Sequence, residues 1–157
     1  MNKKSAILSV AALLALGTTF MSCKDEENPT TTVPTPTTTR LVATLNGAGE
    51  KPTSTTSTAT GNFVGDLNTT TRVLSYTLTY TGPFSSTLTG GHLHRVTKAD
   101  GTGPVEIPFS SLTSPISGTT TLTTATRVDS LLNGFYYANL HTTLYPAGEI
   151  RGDIKKQ

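Results

Sequence analysis

The sequence predicts an all-β domain, an antiparallel β-sandwich or small barrel of about eight strands, and three observations point there. Threonine is the commonest residue, and with Gly, Pro, Ser and Asn it signals short strands and frequent turns. No long stretch carries the 3.6-residue period of a helix, whereas several segments alternate apolar and polar residues. Turn signals with a mechanism separate them: Thr81-Gly82-Pro83, Asp100-Gly101-Thr102-Gly103-Pro104 and Tyr145-Pro146-Ala147-Gly148.

The elements follow in order. Leu41 to Leu45 puts Leu41, Ala43 and Leu45 on one face, and Gly61 to Leu67 repeats the pattern with Phe63 and Leu67. Val73 to Tyr80 is the clearest strand, with Leu74, Tyr76, Leu78 and Tyr80 pointing one way and Ser75, Thr77 and Thr79 the other, as in a half-buried antiparallel sheet. Further strands are expected at His92–Val96, Val105–Phe109, Gly118–Thr124, Phe135–Thr142 and Gly148–Ile154. Thr126 to Asn133 can form one helical turn, since Val128, Leu131 and Leu132 are spaced for it and Gly134 can stop it.

Residues 1–22 read as a signal peptide, with Lys3 and Lys4 ahead of an apolar run, Ala6 to Leu16, that is too short to span a bilayer. The run ends at Phe20-Met21-Ser22-Cys23, which resembles a bacterial lipobox and implies lipidation of Cys23. As the single cysteine, Cys23 has no partner for an intramolecular disulfide. Lys24-Asp25-Glu26-Glu27 resembles the acidic export tag of surface-displayed outer-membrane lipoproteins in some Gram-negative groups. Residues 23–39 are then a lipid-anchored Thr/Pro-rich tether, hydrated and semi-rigid, and residues 40–157 are the length of one β domain. The expected location is the bacterial outer membrane, exposed at the surface, where a protein or glycan partner would be met. A net charge of +2 that includes Lys3 and Lys4 leaves the remainder near neutral, with no basic surface for nucleic acid.

All three histidines fall in the second half of the chain, on expected strands. His92 and His94 share a face because strand residues i and i+2 project together. Leu93 lies opposite them; Tyr136, Ala138 and Leu140 lie opposite Tyr137, Asn139 and His141; Ile150 and Ile154 lie opposite Glu149, Arg151 and Asp153. With the apolar sets in the core, the histidines and acids share the outer surface, where Tyr137 must be exposed or covered by a loop. Two readings stand open. In one, His92, His94 and His141 hold copper or zinc, with Glu149 as fourth ligand or as acceptor behind an imidazole. In the other, the histidines hydrogen-bond across strands and to Glu149 or loop carbonyls, and Glu149 and Arg151 form a surface ion pair worth about 0–1 kcal/mol. A blue-copper centre is disfavoured, since both methionines lie in the signal and Cys23 is the only thiol. No phosphate-binding loop, nucleophile elbow or paired acid/base carboxylates are present, and Arg151-Gly152-Asp153 is a chance tripeptide on a strand.

Four ordered motifs then carry a family resemblance: Leu45-Asn46-Gly47-Ala48-Gly49-Glu50-Lys51-Pro52, Gly91-His92-Leu93-His94, Gly134-Phe135-Tyr136-Tyr137-Ala138-Asn139-Leu140-His141-Thr142 and Pro146-Ala147-Gly148-Glu149-Ile150-Arg151-Gly152. From about Leu41 to Ile154 the chain resembles the CHRD domain, named for its repeats in chordin. It departs at Lys51 and the Thr/Ser run that follows, and at Gly90-Gly91 and Arg95. The resemblance implies an immunoglobulin-like barrel or sandwich with no general enzymatic activity. The expected function is therefore an envelope-anchored lipoprotein acting as a non-enzymatic binding or structural module. The alternative is a copper- or zinc-binding protein like superoxide dismutase, which is similar in its His-x-His strand and fold class only.

Overall fold

The computed structural model describes residues 37–157. The signal segment, Cys23 and residues 24–36 of the tether lie outside the described residues. Among those described, no helix is long and apolar enough to cross a membrane.

Alternation turns into eight strands: β1 (Thr38–Asn46), β2 (Thr60–Asn68), β3 (Val73–Thr81), β4 (Leu88–Arg95), β5 (Val105–Pro108), β6 (Ile116–Thr121), β7 (Tyr136–Thr142) and β8 (Ile150–Lys156). All pairings are antiparallel, in the order β5-β4-β7-β8-β1-β2-β3-β6, and the sheet curls into a nearly closed barrel. The small-barrel form of the expected all-β fold is thus the one adopted. Its open seam lies between the two edge strands, where Ile107 and Pro108 of β5 and Gly118 and Thr119 of β6 line one groove.

The predicted apolar sets point inward. Leu41, Leu45, Phe63, Leu67, Leu74, Leu78, Leu93, Leu140, Ile150 and Ile154 are all buried, each contributing about 1.5–3 kcal/mol by leaving water. Tyr76 also points inward, and its ring lies against Gly118 directly across the β3–β6 ladder, where any Cβ would collide with the phenol. Between β6 and β7 runs α1 (Ala125–Leu132), which buries Val128 and Leu131. Thr124 caps it, its side chain accepting from Arg127 N at 3.3 Å, and Gly134 at φ +77° ends it in the left-handed conformation that glycine adopts without strain.

Several boundaries differ from the sequence expectation, among them β1, which begins at Thr38 inside the expected tether, and β6, which runs from Ile116 to Thr121 in place of Gly118–Thr124. β4 begins at Leu88, because β7 supplies a pairing partner to residues of low strand propensity: Leu88 pairs with Thr142 and Gly90 with His141. β8 begins at Ile150, leaving Glu149 at the end of the preceding turn. Phe135 precedes β7 and is 53% exposed, since its backbone is taken by the end of α1 through Ser130 O.

Candidate metal-binding site

The outer face of β4, β7 and β8 forms a grid of residues set by register. His92 pairs with Asn139, which pairs with Arg151; His94 pairs with Tyr137, which pairs with Asp153. His141 faces Gly90, and the missing side chain there makes room for the His92 ring: a Cβ on Gly90 would lie 3.1 Å from His92 Cε1. The three imidazoles consequently cluster, with ring centroids 5.1 Å apart for His92 and His141, 5.5 Å for His92 and His94 and 5.8 Å for His94 and His141. One ligand nitrogen from each lies within 4.8 Å of the other two.

Hydrogen bonding fixes which nitrogens are free. His94 Nδ1 is 3.0 Å from Gly103 O and His141 Nδ1 is 3.1 Å from Pro146 O. A carbonyl only accepts, so both rings carry the proton on Nδ1 and leave Nε2 as a lone-pair donor. His94 Nε2, His141 Nε2 and His92 Nδ1 are all buried and have no partner among the described residues. Leaving a buried polar atom unpaired costs about 1–3 kcal/mol, and three in one place call for something to bind them. Burial also pushes all three imidazoles below their ordinary pKa. For His94 it reaches about 4, despite the opposing bond to Gly103. Neutral rings with unshared lone pairs are the form in which histidine ligates a metal.

Tyr137 is covered, as one branch of the expectation required. Its ring stacks on His94 with centroids 4.7 Å apart and an interplanar angle of 4°, and from the β8 side the Arg151 guanidinium carbon sits 3.5 Å from its centroid. Arg151 is only 1% exposed and donates to Asp153 Oδ1 from Nε at 3.2 Å and Nη2 at 2.8 Å, with a further bond from Nη2 to Gly101 O at 2.8 Å.

Glu149 does not join the histidines, and it forms no surface pair with Arg151. Its carboxylate is fully buried and accepts from Ser57 Oγ at 2.7 Å, Ser85 N at 2.7 Å and Thr142 Oγ1 at 2.6 Å. The physical reason is its place before β8: strand alternation does not govern a turn residue, so the side chain turns toward these donors. Burial pushes its carboxyl up, but the bonds from Thr142, Ser57 and Ser85 together hold it below the usual carboxylate range.

A second buried carboxyl was not singled out by the sequence. Glu50 is buried beside Asn139, whose Nδ2 donates to Oε2 at 3.5 Å, while Glu50 Oε1 and Asn139 Oδ1 have no partner among the described residues. Burial raises its pKa to about 7 against the opposing pull of Arg151, the Asn139 bond and the Lys51 backbone amide. Gly148 packs against this pair, and a Cβ there would lie 2.7 Å from Glu50 Oε1. The signals for the remaining site features were weak: glycines at 90, 103 and 148 mark close approaches only once the neighbours are known.

Fold and site together define a class: a small antiparallel β-barrel that carries a convergent imidazole trio on its outer face. The CHRD domain family model matches residues 41–154, a span that includes the four motifs and all three histidines, and the chain belongs to that family. Neither the curated proteins nor the solved structures include a match to the chain.

Proposed function

We propose that this protein is an envelope-anchored, non-enzymatic CHRD module that holds one copper or zinc ion at His92, His94 and His141. One observation carries the metal role: three buried ring nitrogens, each without a partner among the described residues, converge while the opposite nitrogens of two rings are pinned by backbone carbonyls. Pinning the outer nitrogen sets tautomer and ring orientation, the usual arrangement behind a ligating imidazole. Three nitrogens from one side leave a coordination position free, as in open zinc and copper sites. The sequence supports anchoring, through Cys23 and a Thr/Pro-rich tether that ends where β1 begins at Thr38.

Metal analysis of untagged protein tests the metal role. Stoichiometric copper or zinc is expected, lost in His92→Ala. A protein that takes up neither ion, and gains no thermal stability from either, would exclude this role. Cys23→Ser should release the chain from the membrane fraction, and protease shaving of intact cells should remove the domain. A protein that stays soluble from the start, or that shaving leaves intact, would remove the anchoring or the display respectively.

A further inference from the structure

We infer that the imidazole trio is built for monovalent copper, Cu(I), in preference to Zn(II) and Cu(II), an inference that rests on the metal-holding role proposed for His92, His94 and His141. The choice follows from charge, layer by layer outward from the ion. Among the described residues the grouped donors are three imidazoles, with no carboxylate or thiolate joining them. Neither nearby acid joins them. Glu149 is held by Ser57, Ser85 and Thr142, and Glu50 lies against Asn139 and Gly148.

The next layer is neutral as well. The protons on His94 Nδ1 and His141 Nδ1 go to the carbonyls of Gly103 and Pro146. Zinc sites commonly place a carboxylate there, which raises the basicity of the ligating ring. Beyond this layer the charge is positive, since Arg151 lies over the Tyr137 ring that stacks on His94. Its pairing with Asp153 damps that charge without reversing it.

At each distance, then, the protein withholds the negative charge that a divalent ion needs on leaving water. The desolvation cost of an ion scales with the square of its charge, so a monovalent ion carries only about a quarter of the penalty. Coordination number points the same way. Zn(II) in a three-histidine site completes its tetrahedron with water or another ligand, whereas three nitrogens can complete the shell of a Cu(I) ion.

The test uses the full untagged chain carrying Cys23→Ser, so that the thiol cannot compete for Cu(I). Under anaerobic conditions Cu(I) is titrated against a chromogenic chelator of known affinity, and Zn(II) and Cu(II) are titrated in parallel against their own indicators. The expected result is one Cu(I) per chain, bound at least about a hundredfold more tightly than either divalent ion. X-ray absorption should show only nitrogen scatterers around the copper, and His92→Ala should abolish tight binding while the far-ultraviolet dichroism stays that of the parent. If His92→Ala fails to fold, His141→Ala serves in its place. Zn(II) or Cu(II) held as tightly as Cu(I) would overturn the inference and leave the metal role standing. Binding of none of the three ions would overturn both. Cu(I) binding unchanged by loss of a histidine would place the ion elsewhere and also overturn the inference.

Discussion

Two buried polar clusters lie a few residues apart on β7 and the turn after it, and they are finished in opposite ways. At Glu149 each carboxylate oxygen meets a donor, from Ser57, Ser85 and Thr142. At His92, His94 and His141 three buried nitrogens are left without a partner among the described residues. A completed cluster ties chain segments together; an incomplete one holds a position for a visitor. Thr55 and Ser57 from the β1–β2 connection, Ser85 from the β3–β4 connection and Thr142 from β7 all converge on Glu149. The histidines tie down only their own loops, through Gly103 and Pro146.

The sharpest way to break the contrast is Glu149→Ala, which leaves three donors unpaired around a site with no exposure. We expect a loss of about 3–5 kcal/mol in denaturant-unfolding stability, with or without metal. A loss below about 1 kcal/mol would mean that the cluster does not hold the loops together.

Glu50 comes next. Its folded pKa of about 7 lies above the ordinary value of 4.5, so the folded state binds the extra proton between those values. Stability contributed by protonated Glu50 is therefore complete below about pH 4.5 and is lost as pH rises through about 7, by roughly 3 kcal/mol in all. Glu50→Gln should flatten this fall and exceed the parent in stability at pH 8. Parallel pH profiles of the two proteins would contradict the assignment.

His92→Ala should cost the metal-free protein less than about 1 kcal/mol, because the nitrogen it removes had no partner. The same change should erase the stabilisation that saturating metal confers on the parent, about 2.7 kcal/mol at a hundredfold excess over the dissociation constant. Thermal melts with and without metal read both numbers. Arg40→Ala is the baseline: Arg40 pairs with Asp66 where both side chains are about half exposed, so the expected change is about 0–1 kcal/mol.

Alternation made the barrel legible in the sequence. Leu74, Tyr76 and Leu78 set one strand, Leu93 placed His92 and His94 on the outer face, and Tyr136, Ala138 and Leu140 did the same for His141. The convergence of the histidines could not be read, because it depends on register: only the pairing of Gly90 with His141 opens the space that His92 fills. Loop carbonyls were equally hidden, since nothing in the Gly103 or Pro146 residue types says where their oxygens point. Glu149 misled for the reverse reason. Alternation was extended one residue beyond the strand it belongs to, into a turn where neighbouring donors decide the side-chain direction.

The strand order also has a mechanical meaning. β1 runs between β2 and β8, with nine residues from Thr38 to Asn46 paired to β2, so it is zipped on both sides. Tension entering from the N-terminal side of residue 38 is taken up along the axis of this strand, across ladder bonds that lie perpendicular to it. Such a load shears many bonds at once instead of peeling them singly. The domain therefore presents a strand fastened along both edges to whatever pulls on it from that end.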